Sequence, residues 1–415
     1  MTLWQPEWRI LIDTVDYSSS TLANLNITSG RTSIYEQPVA GYGYVELINF
    51  NNTNYPFTVG ADILISIKDS SGTYVDLYGG FISDLEISVQ SSGSIGYVTT
   101  ARITALGALS KLARANWELS LARAYDGHQI YHILSDLLLN NWNEVAPALT
   151  WADYYPTTTW ANAENVGLGE IDQPGQYEMV HRGADPVSSY TLAAQIAESG
   201  LGYLYEDSSG RIGYADALHR QTYLSTYGYT TISANQAIGV GLRSVTRSGD
   251  VRNFITLNYG NGSANITEED LASIAQYGKF AEIFDTNLHD ATEAASVAAR
   301  RLQLKAYPQA FFDSIEFPLG SPEIDDSDRD ALLNIFMGLP LQIENLPINI
   351  VDSTFQGYVE GWTFRASYNA LSVVINASPI EFSQVTLRWN QVSASETWNT
   401  LSPTLTWEDA IGSVA

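Results

Sequence analysis

The chain has 415 residues, 45% of them apolar, no cysteine and a formal charge of −26. That length suits two to four domains of about 150 residues each, and the apolar share excludes wholesale disorder. Acidity on this scale, with few long acidic runs, makes a surface that repels phosphates and anionic membranes and excludes the basic footprint of an ordinary nucleic-acid binder.

Without cysteine there are neither disulfides nor thiolate chemistry. No stretch approaches ~18 uninterrupted apolar residues, so no membrane insertion of the chain is expected. "MTLWQPEWRILIDTV" lacks the basic and apolar regions of a signal peptide.

Residues 1–110 read as strand after strand, in "GYVELINF", "ADILISIKD", "GTYVDLYGGFISDLEISV" and "GYVTTARITAL", punctuated by the turns "NNTN" and "DSSG". The pattern then changes. In "GHQIYHILSDLLLNNW", Ile130, Ile133, Leu134, Leu137 and Leu138 have helical spacing. "DPVSSYTLAAQIAESG" predicts a second helix, with Asp185 as N-cap, Pro186 at the first position and Gly200 as the stop. It feeds "LGYLYEDSSGRIGYAD", two short strands about the turn Asp207–Gly210. Strands return after about 236, in "GVGLRSVTRS", "NFITLNYG", "FFDSIEFPL", "PLQIENL", "GYVEGWTFRAS" and "ALSVVINAS".

Between them, residues 271–302 place a Tyr277-Gly278 turn before an alanine-rich run. Asp290 and Glu293 have capping-box spacing, and Ala291, Ala294, Ala295, Ala298 and Leu302 form one helical stripe that Pro308 ends. Alanine on that stripe predicts close approach to a sheet.

Residues 142–163 and 389–410 are copies of one another, identical at ten of 22 positions and each with tryptophans nine residues apart, twice. Trp142, Trp151, Trp160, Trp389, Trp398 and Trp407 are six of the ten in the chain. Segments so rich in Pro and Thr cannot build a core alone, so these side chains are read as docking anchors. Their grooves lie either on the chain's own body or on a neighbouring subunit.

Signatures of chemistry fail on inspection. His128 and His132 have zinc-ligand spacing but lack the glutamate of HExxH. "DDSDRDALLNIFM" has Ala331 and Met337 where a calcium loop needs Gly and Glu, so it reads as an acidic loop opening a helix. Neither GxGxxG, a P-loop nor GxSxG occurs, and no carboxylate pair stands out. No enzymatic activity, cofactor or metal is expected.

The order of features resembles the tail hub, or tail-associated minor tail, proteins of long-tailed bacteriophages, and more distantly the baseplate hubs of contractile tails. "GRTSIYEQPVAGYGYVELINFNN", "YGGFISDLEIS" and "ARITALGALSKLAR" are similar to the hub's first domain. "SIAQYGKF" with "DATEAASVAARRLQLKAYPQ" is the most family-like stretch, and "LNIFMGLPLQIENLP" with "GYVEGWTFRAS" matches the closing strands. The resemblance covers about 1–380.

It implies a β-rich α+β chain with two tail-tube-like β-barrel domains, at 1–115 and 236–380. An α+β region, 116–235, would lie between them, and a Trp-rich tail, 381–415, would follow. The implied role is a structural virion protein: a homotrimeric hub at the tail tip, where three chains imitate a six-membered ring. It would adapt the hexameric tail tube and form part of the DNA-ejection channel during host attachment and genome ejection. Implied partners are the tail tube or distal tail protein, other minor tail or fibre proteins and the tape-measure protein. DNA would pass without specific binding, past acids that keep phosphates away over about 8 Å. Tyr277 and Gly278 would form a structural turn in the second barrel domain, with the alanine stripe packed on its barrel. Such a protein is made in the host cytoplasm and resides in the virion. No appended peptidase or wall-cutting domain is expected after Trp407. Two readings stay open beside it: a carbohydrate-binding receptor-recognition protein, favoured by the Trp and Tyr content, and a secreted glycosidase.

Overall fold

The structure, a computed structural model, describes residues 4–51, 54–91, 93, 96–139, 171–234, 244–308, 310–312, 315–347, 353–367 and 370–379. Among them are seven α-helices and a 12-stranded mixed sheet. Its first strands alternate with period 2, as a half-buried sheet requires. In Tyr42–Asn49, for example, Gly43, Val45, Leu47 and Asn49 point inward and their neighbours do not.

The sheet joins two sets of strands that are far apart in sequence. Thr21–Gly30, Tyr42–Asn49, Tyr97–Leu106, Tyr74–Ser91, Asp62–Lys68 and Trp8–Ile12 follow one another antiparallel. On the other side, Thr21–Gly30 pairs with Phe355–Ser367, which also pairs with Pro340–Glu344 and Ala370–Pro379. One apolar core serves both sets, taking Ile27, Val45, Ile65 and Ile103 from the first and Phe317, Leu341, Phe364 and Val373 from the second.

A second core lies under the α+β part. The helix Asp126–Leu139 contributes Ile130, Ile133, Leu134 and Leu137, as its spacing predicts; the side chain of Leu138 lies outside the described residues. Opposite stands the helix Ser189–Ser199. It begins three residues later than the sequence suggests: Val187–Ser188 pairs with Asn116–Trp117, and the Ser189 amide donates to the Ala115 carbonyl at 2.9 Å. The chain therefore stays extended past Pro186, and Ser188 is the N-cap. The hairpin Tyr203–Glu206/Ile212–Ala215 closes this core, its turn held by Asp207 accepting the Ser209 and Arg211 amides at 2.9 Å.

The alanine-rich helix, Ala291–Lys305, does pack on a sheet. It is not the sheet of the closing strands, against the expectation that the stripe packs on a second barrel, but the separate three-stranded Ala264–Glu269, Phe254–Tyr259 and Ala281–Asp285, whose Ile255 and Leu257 belong to the second core. The buried face is Ala294, Val297 and Ala298, with Ala295 and Leu302 half-buried and Ala291 exposed. Arg301 is buried on the same face, its guanidinium 4.1 Å from the Phe284 ring centre. Asp290 caps the helix through the Thr292 and Glu293 amides, while Glu293, expected to reach back to the cap, accepts the Glu178 amide at 2.8 Å. The acidic loop reads correctly too: Asp325 caps the helix Asp326–Leu333 through the Asp328 amide.

Candidate functional site

Where the two strand sets meet, Phe355–Ser367 carries one extra residue. Its register against Ala370–Pro379 slips between Val359 and Gly361, so Glu360 sits on a β-bulge. The pairing with Thr21–Gly30 ends at the same level. Gly30 takes φ +83°, and a Cβ there would lie 2.3 Å from the Glu360 carbonyl oxygen, so only glycine fits.

The bulge turns Glu360 into the protein, where it is 1% exposed. Arg31 Nε donates to its Oε2 at 2.6 Å, and Arg220 donates to both oxygens, at 2.7 and 3.0 Å. The Ser378 hydroxyl also donates to Oε1, at 2.5 Å. Burial opposes ionisation of Glu360, yet the charges of Arg220 and Arg31 override it and hold the carboxyl at about 2. Both guanidiniums also face the Tyr203 ring, Arg220 at 4.4 Å and Arg31 at 5.3 Å. One carboxylate thus ties the first strand set, the helix His219–Tyr227 and the closing strands into one node, with two guanidiniums sharing a single negative charge.

A cleft beside the node, lined in part by Arg31, Tyr203, Asp216, Arg220, Arg300 and Arg301, offers about 80 Å³. Ligand pockets are usually ~300–1,000 Å³, so this space suits water or a small ion better than a sugar or nucleotide.

The seam continues along the Tyr203–Ala215 hairpin. Gln37 brackets Tyr203, its amide donating to the Gly202 carbonyl at 3.1 Å and its oxygen accepting the Leu204 amide at 3.2 Å. Glu206 crosses to accept the Gly41 amide at 2.7 Å and the Leu109 amide at 2.5 Å. At the hairpin tip, Ser209 and Gly210 lie so close to Gly79 that a Cβ on Gly79 would stand 2.4 Å from backbone.

Tyr277 and Gly278 end the helix Leu271–Tyr277, which the sequence pattern did not reveal. Gly278 adopts φ +86° and ψ 170°, a conformation open essentially to glycine alone. Fully buried Asn253 organises the turn: its amide donates to the Gly278 carbonyl at 2.7 Å and its oxygen accepts the Phe280 amide at 2.8 Å. Tyr277 packs edge-on against Tyr307, with ring centres 6.3 Å apart. The six anchors Trp142, Trp151, Trp160, Trp389, Trp398 and Trp407 lie outside the described residues.

Among the described residues no group of three or more His, Cys, Asp or Glu is placed to hold a metal ion. His128 and His132 are both exposed, with His132 edge-on to Trp117. His219 Nδ1 lies 2.7 Å from Asp172, the spacing of an oriented base, but its ring is 3% exposed and too enclosed to meet a substrate.

No family model and no curated protein matches the sequence. Solved structures do. The 43 kDa tail protein of prophage MuSo2 from Shewanella oneidensis superposes with a TM-score of 0.58 over 91% of this chain and 99% of its own, at 11% identity. The chain has the fold of phage tail proteins. The tail protein from Neisseria meningitidis MC58 repeats the match, with a TM-score of 0.58 over 92% of this chain and 99% of its own, at 10% identity. Each match runs over more than nine-tenths of this chain and nearly all of the other, so the likeness is one of overall fold. Among the described residues no helix is long and apolar enough to cross a membrane.

Proposed function

We propose that the protein is a structural component of a phage tail, a homotrimeric hub at the tail tip that adapts the hexameric tube and lines part of the DNA-ejection channel. The observation that carries this reading is the superposition on two tail proteins, one of them from prophage MuSo2, each covered over 99% of its length. In this reading the strand sets within 1–115 and 236–380 act as two tube-like units, joined edge to edge by the pairing of Thr21–Gly30 with Phe355–Ser367. Two units in each of three chains supply the six positions of a tube ring.

The charge suits the role. A formal charge of −26 per chain keeps a channel wall from holding phosphates. Neighbours would be the tube or distal tail protein, other minor tail or fibre proteins and the tape measure, with the tryptophan segments as anchors. The role is non-enzymatic, and the protein resides in the virion.

Electron microscopy of the purified chain with its tail partners tests the proposal directly. Three-fold rings co-axial with the tube are expected, and a monomer in the assembled tail would overturn it. Duplex DNA should not shift in a gel at physiological salt; a shift that weakens steeply as salt rises would remove the channel role.

A further inference from the structure

The protein buries carboxylates in two contrasting ways. Glu360 has two guanidiniums. Asp126, the first residue of the helix Asp126–Leu139, is 0% exposed and has only neutral donors: the Gly127 amide at 3.0 Å, the Gln176 amide at 2.9 Å, the Tyr177 amide at 3.4 Å and the Tyr214 hydroxyl at 2.8 Å. Gly175 and Gly200 press against its two oxygens, with a Cβ at either position falling within 2.4 Å.

Around it the same hairpin gathers further acid. Tyr214, which holds Asp126, also accepts the Asp172 amide through its backbone carbonyl at 3.0 Å. Asp172 in turn accepts the Asp216 amide at 2.9 Å and pairs with His219. Beyond the other strand, Glu206 reaches across the seam to Gly41 and Leu109, and neighbouring Asp207 has one buried oxygen without a hydrogen bond. An ionised carboxylate without a cation is costly in such surroundings, so the closed packing binds protons more tightly than the opened one.

We infer that the Tyr203–Ala215 hairpin is a proton-operated latch: closed over the seam and the Asp126 helix while its acids hold protons, and loosened as they lose them. The groups facing each acid agree. Asp126 meets Tyr214 and the charge of Asp216; Asp216 meets Asp172 and His219; Glu206 meets Tyr78, Tyr190 and Asp207; Asp207 meets Arg211. Positive charge comes from Arg211 beside Asp207 and, when protonated, His219 beside Asp216, which also shares the cleft with Arg31, Arg220, Arg300 and Arg301. Burial, with the charge of Asp216 adding to it, pushes Asp126 up to about 8. Burial likewise lifts Glu206 to about 7 against the pull of the Leu109 and Gly41 amides. Raised values mean closure is favoured at low pH and fades as pH rises through about 7 to 8.

Amide hydrogen exchange between pH 5.5 and 8.5, corrected for intrinsic exchange rates, reads the latch in the full chain. Protection of 203–215, and of the Gly41 and Leu109 amides, should fall about tenfold per pH unit for each proton released, while Phe355–Ser367 keeps its own. Asp126→Asn retains the shape of the neutral acid and should make the fall shallower by one proton, leaving the hairpin more protected than wild type at pH 8.5. Flat wild-type profiles would overturn the inference, as would equal loss in Phe355–Ser367, which marks global unfolding. An unchanged slope in both Asp126→Asn and Glu206→Gln would do the same.

Discussion

Arg31 grips Glu360 twice: its backbone amide donates to the Glu360 carbonyl at 2.9 Å, and its Nε donates to the Glu360 carboxylate at 2.6 Å. The first contact finishes the pairing of two distant strands, and the second neutralises the residue that their bulge turns inward. Arg220 completes the set from a third element. Glu360→Gln would leave two guanidiniums buried beside a neutral amide. Breaking a buried ionic set in this way costs ~3–5 kcal/mol, and thermal denaturation should show a loss of that order. A variant as stable as wild type would mean that the node is solvated.

The same residue sets the acid limit. Glu360 lies below its ordinary value of 4.5, so its contribution is fully present above that pH and is lost as pH falls through about 2. Asp126 has the opposite sign: raised from 3.8 to about 8, it stabilises fully below pH 4 and loses that contribution as pH rises through about 8. Melting temperature should therefore peak on the acidic side of neutrality. Asp126→Asn should flatten only the alkaline side, and Glu360→Gln only the acid side. Both variants tracking the wild-type curve would reject this assignment.

Much of the β architecture was legible because alternation survives wherever a strand has one wet face. Gly43, Val45, Leu47 and Asn49 spell out their strand unaided. Ala281–Asp285 was not legible: only five residues long, it places Ile283 in solvent and pairs parallel with a strand some 27 residues earlier. The helix His219–Tyr227 has no apolar stripe and is held by Arg220 reaching Glu360. The node itself left one faint sign, a lone glutamate in the apolar "GYVEGW", but nothing pointed to its partners 329 and 140 residues away. Nothing in the sequence singles out Asp126, because the tyrosine that holds it arrives 88 residues later.

Close backbone contact at the hairpin tip makes a sharper test of the seam. In Gly79→Ala the new methyl would meet Ser209 and Gly210 backbone, which cannot yield as a flexible side chain would. Overpacking of this kind costs ~1–3 kcal/mol and should lower the melting temperature. Gly249→Ala, where a Cβ meets nothing within 4 Å, serves as the near-neutral control. Equal melting of the two variants would mean that the tip is free to move aside.

Gly278→Ala separates backbone strain from contact. A Cβ there meets nothing within 4 Å, yet φ is +86° and Asn253 holds the turn from both sides. The expected cost is ~1–3 kcal/mol from conformation alone. Tyr277→Ala, by contrast, should remove only the edge contact with Tyr307 and leave any assembly with tail partners intact. If Tyr277→Ala blocked assembly while folding normally, the turn would be a binding site and not a structural device.

The paired tryptophan segments give the last test. Two copies so far apart, matched in Pro and Thr as well as Trp, point to one mode of docking used twice. Each indole filling an apolar pocket is worth ~3–5 kcal/mol against alanine. With pockets on a neighbouring subunit, Trp398→Ala and Trp407→Ala should impair assembly with tail partners while the chain keeps its melting temperature. With pockets on the same chain, the melting temperature should fall and assembly follow from stability alone. Trp151→Ala and Trp160→Ala should repeat whichever pattern the C-terminal copy shows, since the two segments share the same spacing. Sedimentation of wild type and variants with purified tail partners, beside thermal melts, distinguishes the outcomes. Variants indistinguishable from wild type in both assays would remove the docking role from all six tryptophans.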